Sequence, residues 1–317
     1  MTVTFGIDLG GTNVRCGVID ESGTILAERR EGTHCDASWQ EMVAVMVKLV
    51  QGFADEYPDA RAVGVGAAGL VTREGEIVYA PNISGFRNAP IREALTRELD
   101  RPVVVDNDAN AAAHGELLHG AARGANYALV VTLGTGIGGG IIARGRVIRG
   151  AHGFAAEIGH FQIDPDGPMC ACGERGHWEA FASGSALGRM GRERAAAGRA
   201  AKIVALAGDA AEAVTGVHVG DAAQAGDPDA LEVITAYAGL VAVGLAGLAN
   251  ILDPDRIVIS GGLVELGDTL FAPVRAAFAG DIEGYEYRPA IDIVPAQLGE
   301  QAGMIGAAAL ARELVDE

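Results

Sequence analysis

The sequence predicts an α/β fold assembled from two similar halves. Apolar β-type runs ending in a glycine turn recur three times, at FGIDLGGT (5–12), ALVVTLGTGIGGG (128–140) and RIVISGG (256–262). The first two continue into a second β-type run, VRCGVID and IIARGRVI, so each reads as a hairpin turned on glycine. These hairpins start about 125 residues apart, the mark of an internal duplication.

Between the hairpins, strand and helix patterns alternate, as α/β architectures require. An amphipathic helix is expected near Trp39 to Tyr57, a strand at 62–71, a helix from Ile91 to Leu99 and a strand at 102–108. No low-complexity linker separates the halves, which places the junction in a compact crossover near the Ala-rich segment after Asp108. Ile234 to Leu252 runs nineteen residues without a charge, close to a membrane span. Eight of those residues are Gly or Ala, no basic cluster flanks them, and the strand-like RIVIS follows at once, so a central buried helix is expected.

Composition narrows the function. The chain of 317 residues has room for two domains, and 42 acidic against 24 basic residues give a formal charge of −18. Such a surface repels nucleic-acid phosphates and anionic lipid, so neither is the expected partner. The start MTVTFGIDLGGT lacks a basic leader pattern, and four cysteines suit a reducing compartment, so a cytoplasmic location is expected.

Gly134, Gly136 and Gly139 satisfy G-x-G-x-x-G, but a strand pattern follows where a dinucleotide site needs a helix. No G-K-[ST] occurs, which excludes a Walker loop. The turns Gly10-Gly11-Thr12 and Gly134-Thr135-Gly136, with Gly261-Gly262, can instead bring backbone N–H groups against phosphate oxygens without an intervening Cβ. Asp8, just before the first turn, suits Mg²⁺, a cation that prefers carboxylate oxygens.

Asp106-Asn107-Asp108-Ala109-Asn110 puts polar groups at the end of an apolar strand, where open α/β sheets bind ligands. A carboxylate there can take the proton of an attacking hydroxyl. The alternative for one of Asp106, Asn107 and Asp108 is an Asx cap on the next helix. Glu157, His160, Cys170, Cys172, His177 and Glu179 fall within twenty-three residues. Two thiolates and two imidazoles, from Cys170, Cys172, His160 and His177, make a tetrahedral donor set suited to a structural Zn²⁺. Glu157 and His160, three apart, face the same side of a short helix. Cys16, Cys35, His34, His114, His119, His152 and His218 lack comparable partners and read as structural or solvated residues.

With these motifs in place the chain resembles the ROK family (repressors, open reading frames and kinases). IDLGGTNVRCGVID, DNDAN, TLGTGIGGG, GAHGFAAEIGH, CACGERGHWEAFASG, ISGG and LGEQAGMIGAA follow the family's order over nearly the whole length. The resemblance implies a hexokinase/actin-like (ribonuclease H-like) duplicated fold, with a cleft between two α/β domains. The smaller spans 1–115 plus 303–317, where the segment around Gly303 to Leu314 folds back, and the larger spans 116–302. It also implies phosphorylation of glucose at its 6-hydroxyl by ATP and Mg²⁺, with Asp108 as general base. Asn107, Glu157, His160, Glu179 and Gly69 would bind the sugar, and Asp8, Gly10, Gly11, Thr12, Gly134, Thr135, Gly136, Gly261 and Gly262 the nucleotide.

Three positions depart from the family pattern: His177 replaces the third zinc cysteine, Ala68-Gly69 a Pro-Gly pair, and Phe86 a frequent tryptophan. The remaining alternatives are another hexose or an N-acetylhexosamine as acceptor, polyphosphate as donor, and a sugar-responsive repressor. Against the repressor stand the −18 charge and the four residues, Met1 to Thr4, ahead of the first hairpin. A homodimer or homotetramer is expected.

Overall fold

The structure is a computed structural model that describes residues 2–33, 37–80, 83 and 85–316. His34 and Cys35 lie outside the described residues. The chain forms two compact units, Met1–Asn126 with Gly140–Ala156 and Gln297–Glu317, and Tyr127–Gly139 with Glu157–Ala296.

The first unit opens with the hairpin β1 (Val3–Leu9) and β2 (Asn13–Asp20), followed by β3 (Ile25–Gly32). Helix α1 (Trp39–Ala54) starts on a capping box in which Ser38 and Glu41 each satisfy the other's backbone N–H. It ends a turn before the expected Tyr57, where the Phe53 carbonyl accepts from both Glu56 and Tyr57. The expected strand at 62–71 is split into β4 (Val63–Ala67) and β5 (Leu70–Val71), because Gly69 turns the chain at φ +112°. Then come β6 (Ile77–Tyr79), β7 (Arg87–Ala89), α2 (Ile91–Leu99), β8 (Val103–Asn107) and α3 (Asp108–His119). The main sheet has the order β3-β2-β1-β4-β8; β1–β2 and β2–β3 are antiparallel, β1–β4 and β4–β8 parallel. Apolar residues of β1, β4, β8, α1 and α2 form its core, with Phe86 buried among them.

In chain order β9 (Tyr127–Leu133) and β10 (Ile137–Ala143) follow, then β11 (Arg146–Val147), α4 (Trp178–Ala182), α5 (Gly184–Ala196), α6 (Ala201–Leu206), α7 (Gly216–Gln224) and α8 (Pro228–Leu252). After them β12 (Arg256–Ser260), α9 (Asp268–Asp281) and β13 (Asp292–Pro295) lead to α10 (Ala302–Asp316). The second sheet, β11-β10-β9-β12-β13, repeats the plan of the first: a hairpin, then two parallel strands beside its first strand. The duplication read from the glycine turns is thus visible in strand order.

The uncharged run lies in α8, capped by Asp227 and Pro228 and stopped at Asp253, which takes a left-handed conformation before Pro254. By length and composition α8 could cross a membrane, yet its apolar side is spent inside the second unit. Trp178 donates from Nε1 to the Leu240 carbonyl and its ring lies where a Cβ on Gly244 would sit, 2.0 Å away, so this Gly/Ala-rich helix seats an aromatic.

The last helix belongs to the first unit. A Cβ on Gly64 of β4 would lie 1.8 Å from the Ala307 carbonyl oxygen, and one on Gly306 would lie 1.7 Å from that of Ala111. α10 therefore packs backbone to backbone on β4 and α3, which only glycine permits. Thr4 Oγ1 donates to the Ala308 carbonyl at 2.9 Å inside this contact. The same packing holds the Ala-rich α3 in the first unit, which runs to Asn126, takes in Gly140–Ala156 as well and resumes at Gln297, where 1–115 plus 303–317 was expected.

Candidate active site

In the first unit Asp8 is the penultimate residue of β1, opposite Arg15 of β2 and Gly66 of β4. The turn after it closes with Gly10 N–H donating to the Asn13 carbonyl at 3.0 Å, and Thr33 braces it through the Gly10 and Thr12 carbonyls. Burial and the neighbouring Asp108 carboxylate push the Asp8 carboxyl up to about 6. Asp108 is the first residue of α3, and burial raises its carboxyl above the ordinary range as well. Two enclosed carboxylates thus face one electrostatic environment, a setting that favours an added cation or a shared proton.

The cap of α3 is Asn107. Its Oδ1 accepts from the N–H groups of Ala109 at 2.9 Å and Asn110 at 3.1 Å, while its Nδ2 donates to the Gly69 carbonyl at 3.1 Å. Of the three candidates for an Asx cap, Asn107 fills the role, and Asp108 Oδ1 accepts from Ala109 N–H at 2.9 Å. Gly69 is obligatory, since its φ is +112° and a Cβ would meet the Tyr79 carbonyl oxygen at 2.2 Å.

The Asp8 carboxyl carries a pH-dependent cost. Its pKa lies near 3.8 unfolded and about 6 folded, so between these values the folded chain binds more protons and loses stability as pH rises. That penalty reaches at most about 3 kcal/mol, at ~1.36 kcal/mol per pH unit. In metal-free buffer the Tm of Asp8→Asn is therefore expected to gain on that of the wild type between about pH 4 and about pH 7. A gap that stays constant over this range contradicts the assignment.

In the second unit the turn 134–136 joins β9 to β10, with Gly134 N–H donating to the Gly136 carbonyl. The start of α5 pins it: Gly184 N–H donates to the Gly134 carbonyl at 2.7 Å and Ser185 Oγ to the Thr135 carbonyl at 2.8 Å. A Cβ on Gly134 or Gly262 would meet no atom within 4 Å. Glycine at those positions answers no internal crowding, in keeping with close approach by a ligand. Gly261 differs, with φ +92° and the Leu133 carbonyl oxygen 2.3 Å from a Cβ. Gly136 has a protein partner too: a Cβ there would lie 2.3 Å from Glu179 Oε2, which accepts from Ile137 N–H at 2.8 Å.

Glu157 precedes a single 3-10 turn, Ile158–His160, where a short helix was expected, and its carbonyl accepts from His160 N–H. The ligand atoms of His160, Cys170, Cys172 and His177 all lie within 4.8 Å of one another. Cys172 Sγ is 3.2 Å from His177 Nδ1 and Cys170 Sγ is 3.8 Å from His160 Nδ1. Tetrahedral zinc with bonds of ~2.0–2.3 Å places neighbouring ligand atoms roughly 3.5 Å apart. The donor set fits that ion in identity, number and spacing. Burial pushes the Cys170 thiol up to about 12, and the Glu179 carboxylate adds to the shift, so a thiolate here needs a cation beside it. Glu179, second residue of α4, accepts at Oε1 from Cys170 Sγ at 3.3 Å, tying a candidate sugar ligand to the metal loop.

Sequence reading missed the bracing groups: Ser185 behind the glycine turn, and Arg149, which pairs with Asp106 behind Asn107. Their partners are 50 and 43 residues away, beyond the reach of any local pattern. Of the histidines and cysteines without sequence partners, Cys16 is buried in β2, His114 is buried in α3 and His218 closes the capping box of α7, all structural positions.

Comparison with known proteins adds to this geometry. The ROK family pattern matches residues 4–314. The chain is 42% identical over 316 residues to a glucokinase of Streptomyces coelicolor, covering 99% of this chain and 98% of that one. It is 34% identical to a glucokinase of Thermotoga maritima, with 98% and 97% covered. A ROK family glucokinase from Streptomyces griseus, solved with glucose and AMPPNP, matches at a TM-score of 0.87 and 40% identity, over 98% of this chain and 99% of that chain.

Proposed function

The chain belongs to the ROK family, with its two-domain hexokinase/actin-like fold, and from that premise we propose that it transfers the γ-phosphoryl group of ATP to the 6-hydroxyl of glucose. The observation that carries this reading is its likeness, along nearly the whole chain, to a kinase holding glucose and a nucleotide. Asp108 is the general base. Its enclosed carboxylate, with a raised pKa, takes the hydroxyl proton as the sugar oxygen bonds to phosphorus and the bond to the ADP oxygen breaks.

Asn107, Gly69, Glu157, His160 and Glu179 are assigned to the sugar. Acceptor-only carboxylates suit a polyol rich in O–H donors. Thr12 and the turns with Gly10, Gly11, Gly134, Thr135, Gly136, Gly261 and Gly262 are assigned to the nucleotide, supported by the open space above Gly134 and Gly262. Mg²⁺ held through Asp8, when bound, neutralises phosphate charge. Zn²⁺ held by His160, Cys170, Cys172 and His177, when bound, cross-links the loop that orients His160 and Glu179. A chain of charge −18 is poorly matched to the DNA that a repressor must bind.

A coupled assay over a panel of hexoses and N-acetylhexosamines, with ATP or polyphosphate as donor, tests the proposal. Turnover is expected to be highest with glucose and ATP, giving a 6-phosphate identified by NMR. Phosphate on the anomeric oxygen, or turnover confined to an N-acetylhexosamine, would show that the acceptor is misassigned.

A further inference from the structure

Behind the turn that carries Asp108 lies a charged pair that no step of the proposed transfer uses. Asp106, near the end of β8, is 6% exposed, and its carboxylate has three donors. Its Oδ1 accepts from Asn107 N–H at 2.8 Å and from Asn110 Nδ2 at 3.1 Å, and its Oδ2 accepts from Arg149 Nε at 2.5 Å. Arg149 comes from the loop after β11 and also donates to the Val147 carbonyl at 3.5 Å. Asn110 depends on this carboxylate, because its own Oδ1 is buried without a partner among the described residues.

We propose that Arg149, acting through Asp106, is a positioning residue for Asp108. The guanidinium holds the Asp106 carboxylate inward. That carboxylate fixes the Asn107 N–H and the Asn110 side chain, and the Asn107 side chain in turn caps the first turn of α3, where Asp108 stands. Without the guanidinium, a buried carboxylate is left with two neutral donors, and the low-energy response is for it to swing toward water and release both. The first turn of α3 then loses its register and the base its aim. A misplacement of about 1 Å at a reacting group costs on the order of 10²-fold in rate. This inference rests on the reading of Asp108 as the base.

The test compares wild type, Arg149→Met, which keeps the aliphatic stem, and Arg149→Lys, which keeps the charge. Two readouts are taken: steady-state kinetics with glucose and ATP, and amide hydrogen exchange at Asn107, Ala109 and Asn110 without substrate. Arg149→Met is expected to lose roughly 10²-fold in kcat, to keep its KM for ATP, and to exchange faster at those three amides than elsewhere in α3. Arg149→Lys should recover part of both effects, and it carries the comparison alone if Arg149→Met does not fold. Unchanged exchange at the three amides overturns the proposal, as does a kcat loss no larger than the loss of folded protein. Absence of glucose phosphorylation by the wild type would refute the kinase reading instead, and the exchange result would still decide the clamp.

Discussion

Asp108→Asn is expected to lower kcat by at least ~10²–10⁴-fold, with sugar affinity and fold retained. An amide cannot take the hydroxyl proton, but its oxygen can still accept from Ala109 N–H as Asp108 Oδ1 does, and the cap supplied by Asn107 is untouched. The backbone around the substitution therefore has no reason to move. Burial raises the Asp108 carboxyl, and the base works ionised, so activity should fall on acidification at a pH above the ordinary carboxylate range. Kinetics of wild type and variant as a function of pH, with sugar binding by calorimetry, provide the check. More than a tenth of wild-type activity in Asp108→Asn would reduce Asp108 to a helix-start residue.

The second large effect is expected at the metal loop. The protein should be isolated with about one zinc ion per chain, and His177→Ala should lose it, whereas His177→Cys should keep metal and activity. Cys170 and Cys172 alone cannot close a tetrahedral shell, and His160 and His177 bring nitrogens to within 4.8 Å of them. The His177 ring packs edge-on against that of His160 at 5.4 Å, so truncating it also frees the neighbouring imidazole. Because Glu179 stands two residues after His177, in the first turn of the helix that His177 starts, the loosened loop should misplace a sugar ligand and raise the KM for glucose by about 10–100-fold. Metal content by plasma mass spectrometry and KM on the same preparations decide the question. Full zinc with an unchanged KM in His177→Ala would mean that the fourth ligand is another group, and a zinc-free wild type would remove the site.

Much of this molecule was legible before folding because its signals are short. The glycine hairpins, the DNDAN strand end and the His160–His177 ligand set each occupy one stretch of chain, so residue type and spacing suffice to mark them. The duplication was legible for the same reason: two copies of a local pattern need no partner to be seen. The expected helix after Glu157 became a single 3-10 turn, because Gly159 lies against the Ile137 backbone, where a Cβ would come within 2.3 Å of the carbonyl oxygen.

What the sequence determined by itself was the kind of the elements it marked most strongly, the two hairpins, α1, α2, α8, β4, β8 and β12, and the residue types that its turns and strand ends present, since both follow from periodicity and nearest-neighbour geometry. Tertiary structure alone decided which groups hold those residues in place. It chose Asn107 from three candidate caps, set Arg149 on Asp106, made Gly136 the space into which Glu179 reaches, and laid α10 on Gly64. Each of these pairs joins residues that no pattern in the chain connects, except the cap. There the three candidates are equivalent in sequence, and only the backbone angle at the strand end selects one. The physical reason is common to all: a buried hydrogen bond or a close backbone contact is worth its cost only when packing has excluded water from both partners, and which partners are so enclosed is known only once the chain has closed around them.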